Sequence, residues 1–210
     1  MNKKGFTLVE LLVVIGILAV LGTATAIVLN PAELLNQSRD AQRVGDLSNL
    51  VSALSLYLSD VSPVDLGADC TIAATAGAGY VYRESGTGTV ATTTFTKRPA
   101  TNATVYGTTR AVTGSGWLPV DFTDIASGSP FAVLPVDPTG LPATGTGDLV
   151  YRFACNESGT TATDPKNTFE LNAKFESTKY TSNTGLNLDG KDGGSNDDFY
   201  EVGTDPALDL

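Results

Sequence analysis

The chain has 210 residues, 41% of them hydrophobic and 17% charged, with a formal net charge of −10 and no histidine. That balance offers no basic surface for nucleic-acid phosphates. The missing histidine removes the commonest general base, the usual zinc ligand and the Ser-His and Cys-His pairs, so the chain reads as non-enzymatic, with a Ser-Lys dyad or a carboxylate pair the only routes left open.

The first element is an apolar run. Phe6 to Leu29 carries one charge, Glu10, and as a helix it would reach about 36 Å, enough to cross a hydrocarbon layer of ~30 Å. Lys3 and Lys4 precede it and the next basic residue is Arg39, which places the N-terminus in the cytoplasm and the bulk of the chain outside. The run is too long for a secretory signal peptide and no clean Ala-x-Ala follows it, so the segment is expected to stay on the chain.

A basic leader ending in Gly5, then "FTLVELLVVIGILAVL", resembles the N-terminus of type IV prepilins and pseudopilins. The resemblance implies that a prepilin peptidase cuts between Gly5 and Phe6 and that Phe6 is then N-methylated. It makes Glu10 the assembly residue, whose carboxylate meets the new Phe6 amine of a neighbouring subunit in a filament. A buried carboxylate without a partner costs several kcal/mol, so such a pair favours correct register. Gly16, Ala19, Gly22, Ala24 and Ala26 leave room for close helix packing. The implied partners are further copies of the chain, the prepilin peptidase, an assembly platform with its ATPase, and the inner membrane before assembly.

"GTATAIVLNP", from Gly22 to Pro31, is a poor helix former, and Pro31 disfavours helix at Asn30; a kink or partly melted stretch is expected there, similar to that of pilin filaments. Helical periodicity then returns as far as about Ser59. Val44, Leu47, Leu50, Val51, Leu54, Tyr57 and Leu58 share one face, with Arg39, Arg43, Asp46 and Asn49 mostly off it. That face is expected to dock on the remainder of the chain.

From Asp60 the texture changes to Thr, Ala, Gly and Ser, with short candidate strands in "YVYRE" and "TVATTTFTKR". Cys70 and Cys155 lie in this exported part and read as a disulfide, with two buried free thiols as the alternative. Asn36, Asn102 and Asn156 begin Asn-x-Ser/Thr triplets, which arise easily by chance, and they are expected to be unmodified. Leu-Pro-Val-Asp occurs twice, ending at Asp121 and Asp137; the second resembles the Asp-Pro-x-Gly element of pseudopilins, and ordinary turn chemistry accounts for both. "DLVYRFAC" is a candidate strand. In "TFELNAKFEST", Phe169, Leu171, Ala173 and Phe175 alternate with Glu170, Asn172, Lys174 and Glu176, which predicts a strand with one buried and one wet face.

The tail from Asp189 is acidic and glycine-rich. Asp189, Asp192, Asn196, Asp197 and Asp198 are candidate Ca²⁺ ligands, since the ion takes six to eight oxygens at ~2.3–2.6 Å. The spacing fails the EF-hand pattern at Lys191, but it is similar to the calcium-clamped C-terminal loop of major pseudopilins. A solvated acidic loop is the alternative.

The reading that follows is an α+β, pilin-like chain. Its parts are a leader at 1–5, a transmembrane and filament-core helix at 6–29, an amphipathic continuation at 30–59, and an extracytoplasmic β-rich head at 60–210. The expected role is that of a subunit of a type IV pilus or pilus-like filament. It would lie in the cytoplasmic membrane before assembly and at the cell surface after it. A pseudopilin of a type II secretion system and a membrane-tethered binding module that never polymerises are the alternatives.

Overall fold

The protein is described from a computed structural model, over residues 5–67, 70, 81–83, 104–106, 109–139, 149–157, 166–181, 185–205 and 208. Two helices come first: α1 spans Leu8–Leu29 and α2 spans Pro31–Asp60. They are separated by a single residue, Asn30, in the left-handed conformation at φ 39° and ψ 73°. Asparagine is one of the few side chains that tolerates this region, and proline suits the first helical position after it because its missing N–H would be unpaired there anyway.

Five strands follow: β1 Val81–Arg83, β2 Thr104–Tyr106, β3 Arg152–Asn156, β4 Thr168–Ala173 and β5 Tyr200–Gly203, in the sheet order β2-β1-β3-β4-β5. The β1–β3, β3–β4 and β4–β5 pairs are antiparallel, while β1 and β2 run parallel. The α+β, pilin-like architecture expected from the sequence is therefore present, with one parallel pair at its edge. The strand expected in "TVATTTFTKR" and the side chain of Asn102 lie outside the described residues.

The core forms where α2 meets the sheet. Leu47, Leu50, Leu54 and Tyr57 of α2 are buried against Phe153 and Cys155 of β3 and Phe169, Leu171 and Ala173 of β4. The segment 117–134 closes one side with Trp117, Leu118, Val120, Phe122 and Leu134, all buried. The Trp117 indole donates to the Pro135 carbonyl at 2.9 Å, so its polar end is satisfied inside the core. Cys70 and Cys155 are joined as a disulfide, which resolves the sequence alternatives in favour of the bond and ties the chain after α2 to β3. Asn156 is completely buried, so its triplet is closed to modification in the folded chain.

Two expectations fail. Arg43 was placed mostly off the docked face of α2, yet it is fully buried. It shares the face of Leu47, Leu50 and Leu54 because 43, 47, 50 and 54 follow helical spacing. The second face of β4 was expected to be wet, but every residue of the strand is buried, including Glu170 and Asn172. The cover on that face comes from irregular chain rather than a regular element: Phe199 lies over Arg152 at 4.7 Å and near Lys174 at 5.6 Å, and Gly194 rests against Glu201.

Candidate functional site

The N-terminal site begins at Gly5 and Phe6, with Phe6 85% exposed. Thr7 is the N-cap of α1 and forms a reciprocal capping box with Glu10. The Glu10 N–H donates to Thr7 Oγ1 at 3.3 Å, while the Thr7 N–H and hydroxyl both donate to Glu10 Oε2 at 2.8 Å. Four N–H groups at a helix start have no partner within the helix, and this arrangement satisfies one at each end of the box. Glu10 thus has a local structural role as well as the one implied by resemblance: its carboxylate is held at the tip of the apolar helix, three residues from Thr7. The sequence carries the signal, Thr-x-x-Glu before an apolar run.

Behind the cap, α1 presents apolar side chains on all sides. Leu8 to Thr25 is long and apolar enough to cross a membrane, and none of it is buried against the rest of the chain. Leu8, Leu12, Ile15, Leu18 and Leu21 are all more than half exposed. An apolar stripe on one side would dock a helix on its own protein; an apolar surface all round calls for lipid or for other helices.

The prokaryotic N-terminal methylation motif family matches residues 1–26. The chain carries a prepilin-type methylation motif. No curated protein and no solved structure matches it. The motif, with the apolar helix behind it, supports a type IV pilin-like or pseudopilin-like reading and fits a membrane-anchored precursor. The match ends inside α1, so the head is read from its own residues.

Within the head, the clamp between α2 and the loops beside it is the strongest polar site. Arg43 donates through Nε and Nη2 to Asp137 at 2.6 and 2.8 Å, and through Nη1 to Asp40 at 2.6 Å, with all three side chains buried. Asp40 also accepts the backbone N–H groups of Glu176 and Ser177. Arg39 pairs with Glu176 at 2.8 Å, and Glu33 accepts from the N–H and hydroxyl of Thr178. Burial works against the Glu176 carboxylate, but Arg39 and Arg43 outweigh it and hold its pKa below the ordinary value. The clamp therefore reaches down α2 as far as Glu33, close to the Asn30–Pro31 joint.

The repeated Leu-Pro-Val-Asp segments share one device. Asp121 accepts from the N–H and hydroxyl of Thr123, and Asp137 from those of Thr139, each a turn closed two residues on. Only Asp137 also meets Arg43.

The candidate calcium residues lie in the loop over the sheet. Asp189 is buried and Asp197 and Asp198 are exposed. Asp192 spends Oδ1 on the Gly194 N–H and Oδ2 on the Glu201 N–H, and Asn196 Oδ1 accepts from the Asp198 N–H. Among the described residues, no three acidic, histidine or cysteine side chains stand close enough to hold a metal ion. Asp192 and Asn196 thus serve backbone donors within the loop. Glu201, which the sequence reading passed over, is the buried centre of this region.

Proposed function

We propose that the chain is a prepilin, cut after Gly5, methylated on Phe6 and polymerised through α1 as a structural subunit of a pilus or pilus-like filament. The observation that supports this most is the conjunction of the methylation motif with an apolar helix exposed on every side. Such a helix is stable in lipid or among copies of itself. A filament supplies the second environment.

Cleavage turns the Phe6 amide nitrogen into an ammonium next to Thr7, whose N–H and hydroxyl already hold Glu10. The capping box thus keeps the carboxylate at the height of the new cation. In a bundle of such helices, that carboxylate faces the cation of a sister helix within a low-dielectric core, where an ion pair in register is worth far more than one in water. The role is structural, without a catalytic step. Partners are the peptidase, the assembly machinery and further copies of the chain; calcium in the C-terminal loop stands as a separate proposal, supported by composition alone.

The test is replacement of Glu10 by alanine. Filament recovery from sheared cells should fall at least tenfold while the head remains folded by circular dichroism. Normal filament yield from that variant would contradict the assembly role. For calcium, excess ion should raise the melting temperature relative to chelator; identical curves would end that proposal.

A further inference from the structure

The helix α1 stops just short of the bond proposed to be cut, and side chains make it stop there. Its first turn hangs from the Thr7 carbonyl, which accepts the Leu11 N–H at 3.2 Å. In a longer helix the Glu10 N–H would reach back to the Phe6 carbonyl, but it goes to Thr7 Oγ1 instead. The Thr7 N–H would likewise reach back to residue 3, yet it donates to Glu10 Oε2. Thr7 itself is extended, at φ −79° and ψ 151°. Gly5, Phe6 and Thr7 are all exposed, and a Cβ added to Gly5 would meet nothing within 4 Å.

Without this box, two N–H groups at the edge of the apolar layer lose their partners. An unmet N–H is costly there, and another turn of helix would satisfy both. Glycine is tolerated at a helix start, so Gly5 would be a weak barrier to that turn. The added turn would run through the Gly5–Phe6 bond and fold the Gly5 carbonyl onto the Val9 N–H. Hydrolysis needs the opposite state. An enzyme holds a peptide by pairing with its extended backbone, and the scissile carbonyl must be open to the attacking water.

We propose that Thr7 is a positioning residue for leader removal: by capping α1 it keeps the Gly5–Phe6 bond outside the helix, extended and open to the peptidase. This rests on the prepilin reading given above and adds a role to a residue outside the bond that is cut. Water adds across the bond: its oxygen joins the Gly5 carbonyl carbon, the C–N bond breaks, and protons pass to the Phe6 nitrogen. The products are a Gly5 carboxylate and a Phe6 ammonium. Thr7 takes no part in those transfers and acts through the shape of the chain alone.

The test is cleavage of the full chain in detergent micelles by purified prepilin peptidase, followed as the mass lost with residues 1–5. Thr7→Val keeps the shape but removes the cap, and should slow cleavage about fivefold, the effect of losing a typical N-cap. Thr7→Ser and Thr7→Asn are alternative caps and should keep the wild-type rate to within about twofold. Thr7→Pro has no hydroxyl, but its ring suits the observed φ and bars helix at Phe6, so it should also be cut at close to the wild-type rate. Carbon chemical shifts of labelled Gly5 and Phe6 should move toward helical values in Thr7→Val only. A wild-type chain left whole by the peptidase would overturn both the prepilin reading and this role. Wild type cut normally with Thr7→Val cut equally fast, unmoved shifts in Thr7→Val, or Thr7→Pro as slow as Thr7→Val would overturn the role of Thr7 alone.

Discussion

Replacing Arg43 by methionine would leave Asp40 and Asp137 buried without their cation. Breaking a buried pair from one side costs about 3–5 kcal/mol, far more than losing an exposed pair. Chemical denaturation of Arg43→Met should show that loss, whereas Arg39→Met, whose partner is only partly buried, should cost about 1 kcal/mol or less. The same clamp sets an acid limit. A carboxylate with a depressed pKa, such as Glu176, stabilises the fold fully above its unfolded value of 4.5 and loses that contribution as pH falls through the folded value. Denaturation midpoints should therefore drop below about pH 4.5, and Glu176→Gln should flatten that limb. At this scale the sequence was half legible. The spacing of Arg43 with Leu47, Leu50 and Leu54 already pointed inward, but its partner Asp137 is 94 residues away, and nothing local marks that pairing. The Thr7–Glu10 box, by contrast, is written in four adjacent residues.

At the scale of elements, the joint between the helices follows from local chemistry, and it can be tested locally. Pro31→Ala restores an N–H and relieves the bias against helix at Asn30. Spin labels placed in α1 and α2 should then report a longer and narrower distance distribution; an unchanged distribution would show that Pro31 does not set the joint. The strand β4 was legible in its alternation: Phe169, Leu171 and Ala173 do face the core. What alternation cannot reveal is who covers the other face. Here the cover is an irregular, glycine-rich and acidic loop without periodicity, which looks solvated in sequence and becomes structural only through Asp192, Asn196 and Glu201. The outer strands β1 and β2 are three residues each, too short to carry a pattern, so their parallel pairing was not readable either.

Across the whole molecule, the two ends are built for different surroundings. The head has its own core, its clamp to α2 and a disulfide spanning 85 residues of sequence. Closing so long a loop is worth about 4–5 kcal/mol in the chain-entropy description, so reduction should lower the denaturation midpoint of the full chain markedly, and an unchanged midpoint would mean the bond adds nothing. α1 has no such internal support and leaves its apolar surface bare. Lipid or sister helices would cover it, and the cleavage proposed at the prepilin-type motif at its tip would link those two states. We expect this cleavage to occur in the cell and to precede polymerisation. Intact-mass and N-terminal fragment spectra of protein recovered from sheared surface filaments test it most directly: the chain should begin at N-methylated Phe6, and a chain beginning at Met1, found only in the membrane fraction, would contradict it.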